Sequence, residues 1–171
     1  MRLLPTICAV AVAVANIQAA SATTYTPAGT YVFQGWVQTV KGFTLTCILT
    51  VTITVPESAP DADGTASHGH NATATPVLTA GNALCPVQMF SGAPYPVSFD
   101  GTSISLNSVA YLAFGPGGCT GTLSGKWSGN TASPRAILFN TSLPGDGGTA
   151  PCRFTGNLNQ VSGEALSITN P

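Results

Sequence analysis

What this chain has least of is charge. Lys, Arg, Asp and Glu make up 6% of 171 residues, and the formal net charge is −1. Beyond residue 22 the cations are Lys41, Lys126, Arg135 and Arg153, set against Glu57, Asp61, Asp63, Asp100, Asp146 and Glu164. No basic patch exists to meet a phosphate backbone, which excludes nucleic acid as a partner. Solubility must rest on Thr, Ser, Asn and Gly, whose hydroxyls and amides hold water less firmly than ions. With so little repulsion between copies, such a surface favours contact with interfaces, with other molecules or with itself. Self-association is one expectation.

Long apolar runs are also missing after residue 22. Nothing there approaches the ~20 apolar residues that cross a bilayer as a helix, so the expectation is a protein not integral to a membrane. The first 22 residues read as an export signal. Arg2 opens it, Ile7 to Ile17 forms a short apolar core, and Ala20-Ser21-Ala22 ends in small residues that a signal peptidase reads. Cleavage is expected after Ala22, with Ala20 the nearest alternative, leaving 23–171 as one domain. Cys8 precedes the apolar core rather than ending it, so it leaves with the signal and does not mark a lipoprotein. The expected location is the outer cell surface or medium of a bacterium.

Helical periodicity is absent beyond the signal; alternation takes its place. In 44–55 (TLTCILTVTITV), Leu45, Cys47, Leu49, Val51, Ile53 and Val55 share one face. Threonines fill the other, with Ile48 the exception. That period of two predicts a long strand. Thr30 to Val40 is a second β-rich run, joined to the first through a short turn at Lys41-Gly42. Further strands are predicted at 72–79, 95–99, 102–106, 109–114, 119–127, 135–142, 152–159 and 164–169, separated by Gly, Pro, Asn and Asp clusters. The fold class is all-β: one antiparallel β-sandwich or barrel-like domain.

Four cysteines remain after the signal: Cys47, Cys85, Cys119 and Cys152. No two form a C-x-x-C zinc knuckle, and an even count in an exported chain reads as two disulfides, with three pairings open. Cys119-Thr120-Gly121-Thr122-Leu123 echoes Cys152-Arg153-Phe154-Thr155-Gly156-Asn157-Leu158. Two similar strands lying side by side favour Cys119–Cys152, which leaves Cys47–Cys85.

Catalytic apparatus is equally scarce. His68 and His70 stand two apart in the 56–72 loop, near Asp61 and Asp63, and are weak metal candidates. A solvated hairpin connection accounts for them as well. Asp61-Ala62-Asp63-Gly64 opens like a calcium loop, but Ala66 and Ala72 occupy the positions where Gly and Glu are required. No G-x-S-x-G elbow occurs, and no acidic pair lies in an aromatic-rich segment. The chain therefore reads as a non-enzyme without a cofactor. Its most distinctive segment is 81–97, where Leu84, Val87, Met89, Phe90 and Tyr95 stand among three prolines. They are either a loop capping the core or an exposed apolar ledge for contact with lipid, hydrocarbon or a partner.

At this segment the chain resembles the bacterial alkane-oxidation protein activator family (the PraA/PraB type). The resemblance rests on Asn82-Ala83-Leu84-Cys85 followed by a Pro/Met/Gly stretch and an aromatic-Pro region. It extends to the signal, the start Thr26-Pro27-Ala28-Gly29, the cysteine in an early Thr-rich strand and two late cysteines. Where the family pattern continues with Gly-Leu-Pro and ends in Pro-Trp, this chain has Pro86-Val87-Gln88 and Pro94-Tyr95. The 56–72 loop looks like an insertion. The resemblance implies an exported, non-catalytic protein that promotes growth on hydrocarbons by binding or dispersing apolar material, or that serves adhesion and biofilm. Its partners would be apolar small molecules or cell-surface components. Two other classes fit the residues: a pilus-like fibre subunit donating 30–40 to a neighbour, and a carbohydrate module using Trp36, Trp127 or Tyr111.

Overall fold

Alternating segments of this kind must bury one face, and they do so by curling into a closed barrel. The computed structural model describes residues 23–57, 69, 71–114 and 116–170. Residues 1–22, expected as an export signal, and His68, His70, Asp61 and Asp63 lie outside the described residues. Eight antiparallel strands form the wall: β2 (Gly29–Lys41), β3 (Phe43–Val55), β4 (Ala72–Gly81), β6 (Tyr95–Phe99), β7 (Ser103–Leu112), β8 (Cys119–Trp127), β9 (Ala136–Leu143) and β10 (Cys152–Ser162). Each pairs with the next in sequence, and β10 returns to pair with β2. Of the two architectures left open by the sequence, the barrel is the one formed. β5 (Met89–Ser91) adds a short strand along the second half of β7. β1 (Thr24–Thr26) and β11 (Ser167–Thr169) form a separate ribbon.

Eight strands enclose a space just wide enough for side chains to fill. Phe33, Val37, Leu49, Val51, Ile104, Leu106, Leu123, Ile137, Phe139, Phe154 and Leu158 fill it and are buried. Among the described residues the interior is a packed core of side chains. The outward positions of β3 are Thr44, Thr46, Ile48, Thr50, Thr52 and Thr54. Ile48, the break in the alternation, lies opposite Trp36 on the same outer face. A membrane-spanning barrel presents an apolar band outward, whereas this wall presents mainly hydroxyls and amides. No helix among the described residues is long and apolar enough to cross a membrane.

Both disulfides are formed as favoured, Cys47–Cys85 and Cys119–Cys152. β8 and β10 are not the side-by-side neighbours expected from their similar sequences, however. β9 lies between β8 and β10. The bond forms at the tail of β9, where Cys152 pairs with Leu143 and Cys119 bridges Gly145, so the inward-facing starts of β8 and β10 come within 6.0 Å, Cα to Cα. Both bridges brace the same end of the barrel. The strands expected at 102–106 and 109–114 are one, β7, joined through a bulge at Asn107-Ser108.

Candidate functional site

The braced end of the barrel is built from four connections: the turn between β2 and β3, residues 82–91, the β7–β8 loop and the β9–β10 loop. Residues 82–91 hold their shape through local chemistry. Thr46 O accepts from Asn82 N at 3.1 Å, and Asn82 O accepts from Cys85 N at 2.9 Å. Asn82 Oδ1 accepts from Leu84 N at 3.0 Å, an Asx turn. Pro86 then begins a short 3₁₀ turn over Cys85–Val87, and Cys85 is anchored to β3 through Cys47. Thus Asn82-Ala83-Leu84-Cys85 is a turn-and-anchor device. Gly81 precedes it because a Cβ there would sit 2.3 Å from Thr46 O.

That device divides its apolar residues between two fates. Val87 and Met89 are exposed, Met89 by 54%. Leu84 and Phe90 are half-buried and pack on the core. Tyr95 is 3% exposed and is a core residue of β6, its hydroxyl donating to Ala110 O at 3.1 Å. Phe90 stacks on Tyr111 (centroids 5.0 Å) and approaches Phe154 (6.0 Å), so it anchors the segment rather than displaying it. The ledge expected from the sequence therefore reduces to Val87 and Met89, and other strands complete it. Met89 pairs across strands with Leu112, which is also exposed. Phe114 lies just beyond Leu112, and its ring meets Phe43 edge-on at 5.9 Å. Among the described residues, five of the nine large apolar side chains left exposed are thus gathered at this end.

Beneath the rim lies a polar floor. The inward set of β2, Tyr31, Phe33, Val37, ends in Thr39 and Lys41, and both are buried. Gln88, also buried, accepts from Tyr111 Oη and from Thr39 Oγ1 (3.4 Å), and donates to Leu84 O at 3.4 Å. Lys41 Nζ donates to Gly118 O at 2.8 Å and to Thr149 Oγ1 at 3.2 Å, tying three loops together. The cleft between rim and floor is lined by Thr39, Lys41, Gln88, Tyr111, Phe43 and Phe114 and has a volume of about 10 Å³. That is room for about one water. Burial pushes the Tyr111 hydroxyl up to about 12 despite the opposing hydrogen bond with Thr39.

The family model for alkane oxidation protein activators of the PraA/PraB-like kind matches residues 1–169. The chain belongs to this family. No curated protein and no solved structure matches it significantly. Within this activator, sequence reasoning missed Lys41, Phe43, Gln88, Leu112 and Phe114. Lys41 was within reach, since the alternation of Tyr31, Phe33, Val37 and Thr39 continues to it. Gln88 sits in an irregular proline-rich stretch where no periodicity points inward. Of the aromatics considered as a sugar platform, Trp127 and Tyr111 are buried and Trp36 is exposed, so they do not form one surface.

Proposed function

We propose that this activator is an exported, non-catalytic accessory protein that promotes hydrocarbon use by touching apolar material with the braced end of its barrel. The observation that carries the reading is the gathering of exposed Phe43, Val87, Met89, Leu112 and Phe114 at one end of a doubly cross-linked scaffold. Enclosure of a hydrocarbon is not supported, because drug-sized ligands occupy pockets of roughly 300–1,000 Å³ and the cleft here measures about 10 Å³. Contact is the remaining mode. Five half-exposed side chains present roughly 400 Å², and covering them is worth on the order of 10 kcal/mol at ~25 cal/mol per Å². Association costs roughly 4–15 kcal/mol, so a single copy holds weakly. Many copies spread over a droplet, with little charge to repel one another, suit coating and dispersal.

The test is adsorption of purified protein to hexadecane droplets. Phe43→Ser with Phe114→Ser should cut adsorption at least tenfold while leaving thermal stability close to wild type. Leu138→Ser, on the far wall, should change nothing. Equal adsorption of all three proteins would refute the reading. The same rim offers an apolar contact for adhesion. The fibre alternative loses its physical motive, because β2 is paired on one side by β3 and on the other by β10. It has no free edge to donate, and size-exclusion chromatography should show no strand-exchanged polymer.

A further inference from the structure

A buried cation normally has a counter-charge. Lys41 is 8% exposed, and among the described residues it has no ion pair. Its two good acceptors are neutral, Gly118 O and Thr149 Oγ1. The third contact is Cys119 Sγ at 3.4 Å, a weak acceptor that leaves one ammonium hydrogen poorly satisfied. Asp146, on the β9–β10 loop, makes no ion pair with Lys41: its Oδ1 accepts from Thr120 Oγ1 at 2.9 Å and its Oδ2 faces Gly118, the residue whose carbonyl the ammonium meets. The other polar groups of the floor, Thr39, Gln88 and Tyr111, are uncharged and bonded to one another. The site thus combines a nearly buried positive charge with an apolar rim directly above it. Phe43 and Phe114 of that rim line the cleft together with Lys41, and they meet in one edge-on contact between half-exposed rings. Exposed side chains of that kind change rotamer within ps–ns.

We propose that the braced end takes single-chain anionic amphiphiles, namely free long-chain carboxylates. The carboxylate enters between Phe43 and Phe114 to neutralise Lys41 in place of the sulfur contact. The chain lies along Phe114, Leu112 and Met89. A single acyl chain matches one row of rim side chains better than a two-chain lipid does, and a carboxylate supplies a charge partner where an alkane or alcohol cannot. The inference rests on the contact reading above and assigns it a preferred ligand class.

Equilibrium dialysis of the full chain against dodecanoate and dodecan-1-ol, both below micelle-forming concentrations, tests it without a variant. Dodecanoate should bind at least tenfold tighter, and raising salt from ~0.05 to ~0.5 M should weaken dodecanoate alone. Lys41→Met should abolish the preference, whereas Lys126→Met on the outer wall should keep it. Equal binding of the two ligands by wild-type protein would overturn the proposal, as would a preference that survives in folded Lys41→Met. Retention on phosphatidylglycerol vesicles without dodecanoate binding would also overturn it, in favour of a membrane surface. Droplet adsorption is read separately. If it persists while the carboxylate preference is absent, the inference fails and the contact reading stands; loss of adsorption with the preference intact is the reverse.

Discussion

At the scale of single residues, closure of the barrel depends on two glycines, one on each side of the seam between β2 and β10. A Cβ on Gly35 of β2 would lie 1.9 Å from Asn157 O, and one on Gly156 of β10 would lie 2.4 Å from Trp36 O. Both neighbours are backbone, so neither can turn aside. Gly35→Ala should therefore destabilise by about 2–4 kcal/mol, in the range of overpacking inside a closed wall. Gly42, by contrast, needs only its left-handed turn (φ +76°) and has open space around it, so Gly42→Ala should cost about 1–2 kcal/mol. Urea midpoints of the two variants measure the difference, and a milder effect at Gly35 than at Gly42 would contradict the seam argument. Neither residue is conspicuous in the sequence, because nothing local to Gly35 announces what approaches it from 122 positions away. Residues whose role is local were far easier to read. Asn82 caps a turn formed by its own successors, and Leu45 to Val55 declare their buried face by alternation alone.

Elements were legible where the period of two ran unbroken and illegible where it slipped. β2 and β3 match their sequence signals within a residue or two. β7 reads as two strands because Ser108, at φ 59°, shifts the phase, so Ile104 and Leu106 point inward before the bulge and Val109 and Tyr111 after it. β1 and β5 are three residues long, too short for any period, and exist only through their partners β11 and β7. Pro76 sits inside β4 although proline removes a donor. It is tolerated because β6 pairs with β4 only at Ala72–Ala74, leaving that edge unpaired at Pro76. The rim was half-legible for a related reason: Val87 and Met89 come from one segment, while Phe43, Leu112 and Phe114 arrive from two other connections. The two disulfides hold these connections together, closing loops with separations of 38 and 33 residues. Chain-entropy arguments assign each about 3–4 kcal/mol. Cys119→Ala with Cys152→Ala should lose that amount in chemical denaturation. It should also loosen the loops that hold Lys41, reducing droplet adsorption without abolishing it. Full adsorption by this pair variant would show that the rim does not depend on its brace.

For the molecule as a whole, scarcity of charge should make its stability depend on tyrosine more than on ion pairs. All four tyrosines are buried residues. Burial pushes the Tyr25 and Tyr111 hydroxyls up to about 12 and raises those of Tyr31 and Tyr95, with Glu164 adding to the rise at Tyr31. In the unfolded chain each returns to about 10. A group whose folded value is the higher stabilises the native state fully below its unfolded value, and that stabilisation fades as pH rises through the folded value. The loss should thus fall between about pH 10 and 12. Asp100 acts in the opposite direction on the acid side. The backbone N–H groups of Thr102 and Ser103 hold its carboxyl below the usual range, so its contribution is present above that range and fades as pH falls below it. At the alkaline end Tyr25 and Tyr111 resist ionising where they sit, because each would bring a charge into buried surroundings. Tyrosinate absorbance and loss of the β circular dichroism signal should therefore rise together, in one cooperative transition above about pH 10. If tyrosinate instead formed near pH ~10 with the barrel signal intact, those hydroxyls would be meeting water in the folded state. The packed interior, and with it the argument for surface contact over enclosure, would then be wrong.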